Sequence, residues 1–311
     1  MCKIGWTFSS YSQTISTVNY QKTTTSLGEV SYRTLGNGSR KILFYHGFPG
    51  SSAQIEIFKS EVNNLDLEVL CFDRPGYNET SINTSDAIAG TKQLTKELIL
   101  KMGWTTFEVV TVSGGTPFGI SYAIENADKI ESIRIICGLG NFNTPGIQTI
   151  FSKPSLFALR LLPYISGRLI QKILSAGPSK KRTIGRRNFI LAFFLPASRP
   201  DLELFKRPHV ALALNLALTE ALKQNSLGPK QDASAFLKNW SQGAGALVLP
   251  VHFWHGDKDS VIPHGVASLM APQFPNSGVT IVKNEGHISL PINQISTVLS
   301  YSFQKNETKD V

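Results

Sequence analysis

Short apolar runs and longer amphipathic stretches alternate along the chain from residue 28 to residue 282. This alternation is typical of a mostly parallel sheet covered by helices on both faces. Strands that are buried on both faces are nearly continuous runs of apolar and β-branched residues. Six runs of this kind predict strands at residues 41–45 (KILFY), 67–72 (LEVLCF), 106–112 (TFEVVTV), 130–137 (IESIRIIC), 251–254 (VHFW) and 279–283 (VTIVK).

Residues 141–248 break the alternation. The interval contains eight prolines, and its apolar positions recur at helical spacing, as at Leu156, Leu159, Leu162 and Ile165. Such a pattern predicts several short amphipathic helices instead of further strands. We therefore predict an α/β core formed by residues 1–140 and 249–311, and a helical cap, or lid, formed by residues 141–248.

Composition adds three constraints. With 311 residues, of which 41% are hydrophobic, the chain can bury a large core. Cys2, Cys71 and Cys137 lack the spacing of a disulfide framework or a zinc site, which favours a reducing compartment. Residues 1–20 lack the apolar stretch of a secretory signal, and every apolar run is far shorter than the roughly 20 residues that cross a bilayer. We expect a cytoplasmic protein.

The net charge of +9 is concentrated in the predicted cap. Residues 141–248 contain 15 Lys or Arg and 4 Asp or Glu, whereas the rest of the chain contains 16 basic and 18 acidic residues. No nucleic-acid motif or aromatic-basic array accompanies the charge, so nucleic acid is not an expected partner. The basic segment 180–187 beside the apolar run 189–195 would suit contact with a membrane surface, but we favour a solvated surface.

Turns at the carboxyl ends of parallel strands are where open α/β sheets bind their ligands. Ser113 stands directly after the strand 106–112 and is followed by Gly114 and Gly115. Small neighbours allow a serine to occupy the strained strand-to-helix turn called a nucleophile elbow. The elbow pattern is G-x-S-x-G, and here Thr111 replaces the first glycine. Taken alone, Ser113 would be explained equally well as a helix cap.

A serine hydroxyl becomes a good nucleophile when a histidine removes its proton and a carboxylate orients that histidine. His287 follows the last predicted strand, and Asp257 and Asp259 both follow the strand 251–254. We favour Asp259, because the proline at position 263 indicates a helix start and leaves Asp259 at the apex of the loop. Asp257 is expected to bond backbone groups of the turn. The predicted triad is Ser113, Asp259 and His287.

The turn after the first predicted strand reads His46-Gly47-Phe48-Pro49-Gly50. We predict an oxyanion hole formed by the N–H groups of Phe48 and Gly114, because a developing oxyanion needs donors that are already in place. His46 and Gly47 are predicted to contact the substrate.

Other polar residues near these turns receive structural roles. Asp73 and Arg74, after the strand 67–72, are expected to tie loops together near the site. His252, His255 and His264 lie near the predicted acid, but no Cys or Glu at metal-ligand spacing accompanies them. We expect neither a metal site nor a cofactor.

Five blocks, in this order over residues 28–290, resemble the α/β-hydrolase superfamily: YHGFPGS, FDRPGYNETS, VTVSGGTPFGISYA, PVHFWHGDKDSVIP and NEGHISL. The elbow V-S-G-G and the acid loop W-H-G-x-x-D resemble bacterial-type esterases. The resemblance implies a twisted, mostly parallel eight-stranded sheet with a helical cap inserted after the sixth strand, residues 130–137. It also implies attack of Ser113 on an acyl carbonyl, an acyl-enzyme, and deacylation by water that His287 activates.

On this basis we expect a carboxylesterase-like hydrolase of a small-molecule ester or thioester with a small or medium hydrophobic acyl group. Arg160, Arg168, Arg186 or Arg187 would meet a carboxylate or phosphate on that substrate if it carries one. Two alternatives stay open: a catalytically inactive receptor or interaction protein, and a peptidase or acyltransferase of the same fold. The protein is expected to be a monomer or a homodimer.

Overall fold

The computed structural model describes residues 20–165, 169 and 198–303. Its strands are β1 (Gln21–Thr25), β2 (Gly28–Gly36), β3 (Arg40–Tyr45), β4 (Leu67–Phe72), β5 (Phe107–Val112), β6 (Ile130–Ile136), β7 (Val251–Gly256) and β8 (Ser277–Val282). They form one sheet in the spatial order β1-β2-β4-β3-β5-β6-β7-β8. β2 pairs antiparallel with both β1 and β4, and the strands from β3 to β8 run parallel.

The strands predicted from apolar runs agree with β3 to β8 to within two residues at each end. The apolar pattern does not single out β1 and β2. The Thr-rich β1 lies at the sheet edge and buries little of its surface, and β2 interleaves polar residues such as Ser31 and Arg33 with its apolar ones. The eight-stranded, mostly parallel sheet implied by the resemblance is confirmed.

Helices cover both faces of this sheet. In the part of the chain that the structure describes, the α-helices are α1 (Lys59–Asn64), α2 (Ala87–Met102), α3 (Thr116–Glu125), α4 (Ile147–Ile150), α5 (Lys153–Leu161), α6 (Arg199–Leu204), α7 (Pro208–Ala221), α8 (Leu227–Phe236), α9 (Gly265–Met270), α10 (Ser289–Asn293) and α11 (Ile295–Ser300). The longest, α2, begins after Asp86, whose carboxylate accepts the N–H groups of Ile88 and Ala89. It ends at Gly103, whose φ of 67° suits glycine.

Alternate residues of β3 point to opposite faces of the sheet, and both faces are buried. Leu43 and Tyr45 pack in one apolar cluster, and Ile42 and Phe44 pack in the other. Residues of α2 join the first cluster, and residues of α1, α10 and α11 join the second. The sheet is therefore a rigid, doubly covered platform whose strand ends can hold side chains in fixed positions.

Helices α4 to α8 lie between β6 and β7 in the chain, inside the interval predicted as a cap. α7 packs against the 3₁₀ helix Ser52–Phe58, which lies in the segment after β3, and α8 packs against α2. Residues 166–168 and 170–197 lie outside the described residues, and with them Arg168, Arg186, Arg187 and both segments considered for membrane contact. The division into core and cap domains stays a prediction. Every helix among the described residues is too short or too polar to span a bilayer.

Candidate active site

Ser113 occupies a strained turn between β5 and α3. Its φ is +52°, in the left-handed region that residues other than glycine rarely adopt, and its side chain is almost fully buried. A 3₁₀ turn, Ser113–Gly115, leads directly into α3. A Cβ on Gly115 would lie 2.4 Å from the carbonyl oxygen of Tyr45. Only glycine therefore lets the turn approach β3 this closely.

Thr111, which replaces the first glycine of the elbow pattern, is accommodated by a glycine on the following helix. A Cβ on Gly119 of α3 would lie 2.4 Å from Cγ2 of Thr111. The Thr111 hydroxyl also lies 3.2 Å from that of Thr116. The space that the usual glycine would leave at the strand is thus left at the helix, and the turn keeps its shape.

His287 lies between Ser113 and Asp259, on the loop that joins β8 to α10. Its Nε2 is 2.9 Å from Oγ of Ser113, and its Nδ1 donates to Oδ2 of Asp259 at 2.8 Å. Asp259 sits on the loop after β7, where its Oδ1 accepts the N–H groups of Val261 and Ile262 at 2.9 and 2.8 Å. The structure thus brings the three predicted residues together, although 174 positions separate the serine from the histidine.

The electrostatics favour a charged carboxylate beside a basic imidazole. Burial lowers the pKa of His287, but the adjacent Asp259 carboxylate outweighs burial, and the pKa is raised above its ordinary value. Burial raises the pKa of Asp259, but His287 and His255 outweigh it, and the pKa lies below the usual range for aspartate. At neutral pH Asp259 is therefore ionised and aligned to stabilise a protonated His287.

Asp257 makes the backbone contact expected of a turn residue. Its Oδ1 accepts the N–H of Asn284 at 2.7 Å, which links the loop after β7 to the loop that carries His287. The two aspartates of the W-H-G-D-K-D stretch therefore have separate roles: one holds the loops together, and the other faces the histidine.

Cys137, at the end of β6, lies next to Asp259 and His255, a juxtaposition that sequence spacing did not indicate. One ligand atom from each of the three lies within 4.8 Å of the others. The oxygens of Asp259 already bind two backbone N–H groups and His287, and Nε2 of His255 lies 3.2 Å from Oδ2. Burial raises the pKa of the Cys137 thiol well above its ordinary value, which opposes the thiolate form that metals bind. We assign no metal to this cluster.

Phe48 and Gly114, the predicted oxyanion donors, lie side by side next to Ser113. A Cβ on Gly114 would lie 2.5 Å from Cβ of Phe48, and one on Gly47 would lie 3.5 Å from Cβ of Ser113. Within the described residues, the N–H of Phe48 makes no hydrogen bond. The N–H of Gly47 donates to Oε1 of Gln54 at 2.8 Å, which fixes the loop. Sequence reasoning missed Gln54, because nothing in its spacing marks it.

His46 lies behind this loop and does not line the pocket, whereas Gly47 does. The ring of His46 is fully buried, donates from Nδ1 to the Gly47 carbonyl at 2.9 Å, and packs edge-on against Tyr77. Burial and the nearby Arg74 guanidinium hold its pKa well below the ordinary value, so the ring is neutral. Arg74 also donates to the His46 carbonyl at 2.7 Å, and so ties loops together as expected.

A pocket opens onto Ser113 and His287 between the sheet and α7. Among the described residues that line it, the polar side chains belong to Gln54, Ser113 and His287, and the others are apolar or glycine. The apolar wall includes side chains of a strand and three helices. These are Phe44 of β3, Phe58 of the 3₁₀ helix Ser52–Phe58, Leu214 and Leu218 of α7, and Pro291 and Ile292 of α10. With no Lys, Arg, Asp or Glu among these described lining residues, the pocket suits an uncharged, hydrophobic group.

Of the arginines considered for an anionic substrate, Arg160 is the one that the structure describes. It lies on α5, is exposed, and donates to Oε1 of Gln148 at 2.8 Å. It lines a separate cavity with Tyr164 and Leu237, away from Ser113. The prediction of an anion contact at Arg160 is therefore not supported by its position.

Acidic residues of the interval 141–248 mostly face inward. The interval has four, and three of them are buried: Asp201, Glu220 and Asp232. Glu220 of α7 forms a two-pronged ion pair with Arg33 of β2, at 2.7 and 3.0 Å. Sequence reasoning missed these residues; their only signal was scarcity within a basic segment.

Asp232 of α8 makes the second buried ion pair between these helices and the core. Its Oδ2 binds Nη2 of Arg74 at 2.5 Å and accepts the hydroxyl of Tyr77 at 2.7 Å. Arg74 also holds the loop that carries Phe48, through the carbonyl of His46. The position of α8 is thus linked through one guanidinium to the predicted oxyanion loop.

The sequence model of one protein family, described as alpha/beta hydrolase fold, matches residues 41–293. No curated protein is similar enough to the chain to count as a match. Solved structures with the same fold include a thermophilic esterase from Thermogutta terrifontis, at 16% identity and a TM-score of 0.66 over 91% of this chain and 97% of that one. An esterase from Exiguobacterium antarcticum has 14% identity and a TM-score of 0.62, over 89% and 96%.

An enol-lactonase from Burkholderia xenovorans LB400 is also similar, at 12% identity and a TM-score of 0.66 over 90% of this chain and 97% of that one. At these identities the likeness of the solved structures establishes the shared fold. The chemistry of this chain therefore depends on its own residues.

Proposed function

Because the chain belongs to the alpha/beta hydrolase fold family, we propose that it is a serine hydrolase that cleaves an ester or thioester through an acyl-enzyme on Ser113. The observation that carries the proposal is the hydrogen-bonded line from Ser113 Oγ through His287 to Asp259, at 2.9 and 2.8 Å. Family membership supports hydrolase activity in general, and this line supports the serine mechanism in particular.

In the first half of the reaction, Nε2 of His287 takes the proton of Ser113 as Oγ bonds to the acyl carbon. The carbonyl electron pair moves to oxygen, which accepts hydrogen bonds from the N–H groups of Phe48 and Gly114. Loss of one such donor typically costs about 3 kcal/mol of transition-state stabilisation. The carbonyl then re-forms, the bond to the leaving alkoxide or thiolate breaks, and His287 protonates the leaving group.

In the second half, His287 takes a proton from water as the water oxygen attacks the acyl carbon. The oxyanion again occupies the site beside Phe48 and Gly114 and collapses, which breaks the bond to Ser113 Oγ. His287 returns its proton to that oxygen, and the carboxylic acid leaves. Asp259 keeps Nδ1 of the ring protonated throughout, so Nε2 is the atom that exchanges protons.

The pocket supports a hydrophobic, uncharged acyl group of small or medium size. Its described lining carries no charged carboxylate, ammonium or guanidinium group that would compensate an anion. We expect neutral esters to be cleaved faster than anionic esters of the same chain length. Faster cleavage of the anionic esters would contradict this assignment.

Labelling with a fluorophosphonate probe tests the serine mechanism. Wild-type protein should be labelled, and Ser113→Ala and His287→Gln should not. An unlabelled wild type that hydrolyses no ester would favour the alternative of an inactive receptor or interaction protein. If the wild type is labelled, its rates with esters, with amides, and with esters in the presence of acyl acceptors then distinguish an esterase from a peptidase or an acyltransferase.

A further inference from the structure

Three successive backbone N–H groups of the His287 loop converge on one carboxylate, that of Asp201. The N–H of His287 donates to Oδ2 at 3.2 Å, and those of Ile288 and Ser289 donate to Oδ1 at 2.8 Å each. Asp201 is fully buried and lies in α6, between β6 and β7 in the chain. It is therefore a contact between the predicted cap and the segment that carries the predicted base.

The chain around His287 needs such an acceptor. Helix α10 begins after Ile288, which has no side-chain oxygen to cap the first N–H groups. Gly286 leaves the space through which the acceptor approaches, since a Cβ there would lie 2.5 Å from either oxygen of Asp201. Ser198 orients the carboxylate, because its hydroxyl donates to Oδ2 at 2.8 Å.

We propose that Asp201 is a positioning residue for His287: its carboxylate fixes the loop that holds the base and places a second negative charge near the imidazole. This inference rests on the proposed serine hydrolase function. The charge acts together with Asp259, since both carboxylates favour the imidazolium that forms when Ser113 loses its proton.

Other polar groups that face this segment come from four elements. Asp259 and His255 approach from β7 and the loop after it, Ser113 from the elbow, and Cys137 from the end of β6, with Sγ 3.8 Å from the Gly286 carbonyl. Glu285, on the loop itself, is engaged by the side-chain amides of Asn293 and Gln294. Asp201 differs from all of these groups in belonging to a helix inserted between β6 and β7.

Asp201→Asn tests the proposal, because the amide keeps the shape, removes the charge and replaces one of the two acceptor oxygens with a donor. We expect the acid-side pKa of kcat/KM to fall by several tenths of a unit to about one unit. We also expect kcat to fall about tenfold with KM changed less than about twofold, since the loss concerns the base. The matched control is Glu203→Gln, which removes an exposed charge from the same helix and should leave the profile unchanged. A residue that only capped α10 would lower the melting temperature and leave the pKa in place.

Gly286→Ala gives a second route should Asp201→Asn fail to fold. Its methyl group would meet the Ser198 hydroxyl and both Asp201 oxygens, so the carboxylate must move while the charge stays in the protein, and the pKa of His287 should move in the same direction. NMR titration of the six histidines, with His287→Gln assigning the relevant signal, reads the His287 pKa without any activity. An unchanged pKa in both variants overturns the role of Asp201, whereas an unlabelled wild type in the fluorophosphonate assay overturns the hydrolase proposal instead.

Discussion

The sheet and the helices α6 to α8 share apolar contacts, such as those of the buried Phe236 of α8, but they differ in how much directed polar contacts contribute to holding them in place. Both faces of the sheet are covered by apolar clusters, so its stability comes mainly from buried area. The three helices are attached to the core by buried carboxylates with directed partners: the His287 loop, Arg33 and Arg74. Apolar packing tolerates small shifts, whereas a paired carboxylate demands one geometry. The comparison indicates that the predicted triad lies at the carboxyl ends of the strands, and that directed polar contacts help to fix the helices beside it.

The largest effect should come from the sheet side of this comparison. Ser113→Ala should lower kcat/KM by at least about 10⁴-fold, because the nucleophile is lost, and should leave the melting temperature nearly unchanged. Ester hydrolysis and thermal unfolding measured on the same preparation check both halves. Ser60→Ala, at an exposed serine, is the matched control. A variant that keeps more than a tenth of the activity would mean that another group attacks the ester.

The next effect should come from the helix side. Asp232→Ala leaves the buried guanidinium of Arg74 without its carboxylate, and we expect a loss of about 3–5 kcal/mol in the free energy of unfolding. Urea denaturation measures this loss, and Glu203→Gln should change it by less than about 0.5 kcal/mol. Esterase activity should fall as well, because Arg74 also holds the loop of Phe48. A loss below about 1 kcal/mol would show that apolar contacts suffice to hold α8.

A smaller effect is expected where the two regions face each other across the pocket. Leu218 of α7 lines the pocket, and the larger side chain of Leu218→Trp should fill part of it. The ratio of kcat/KM for octanoyl esters to kcat/KM for acetyl esters should then fall about tenfold. Leu202→Trp, at a partly exposed position of α6, is the control and should leave the ratio unchanged. An unchanged ratio in Leu218→Trp would place the acyl chain elsewhere.

The smallest expected effect concerns pH and stability at His287, which contacts both regions. Its pKa is raised in the folded protein, so it contributes stability that is present below the unfolded pKa of about 6.5 and is lost as pH rises through the folded value. The difference in unfolding free energy between wild type and His287→Gln should therefore be larger at pH 5 than at pH 9. A difference that grows with pH would contradict the raised pKa.

The sheet could be predicted because a buried strand leaves its mark within five or six consecutive residues. Leu67–Phe72 and Phe107–Val112 are mostly apolar, with Glu68 in the first and Glu108 and Thr111 in the second, and each ends at a turn of small or polar residues. Ser113, Asp259 and His287 could be nominated for the same reason, since each follows such a strand. The choice between Asp257 and Asp259 rested on one proline. In the structure, it is Asp259 that accepts a hydrogen bond from His287.

The attachment of the helices could not be predicted from the pattern. Arg33 and Glu220 are 187 positions apart, and Arg74 and Asp232 are 158 apart, so no local spacing relates the partners. The orientation of the His46 ring likewise depends on Tyr77, which packs edge-on against it and which only the folded chain brings near. Long-range pairing of charges follows from topology, and a sequence displays the charges without their partners.

The pairing of Thr111 with Gly119 changes what a search for this kind of turn should require. Where β5 crosses α3, the strand and the helix cannot both carry a side chain at the contact, so a glycine is needed on one of the two elements. A pattern that requires glycine two positions before the serine misses chains in which the glycine lies on the helix instead. A rule written for the combined bulk of the two positions would retain them.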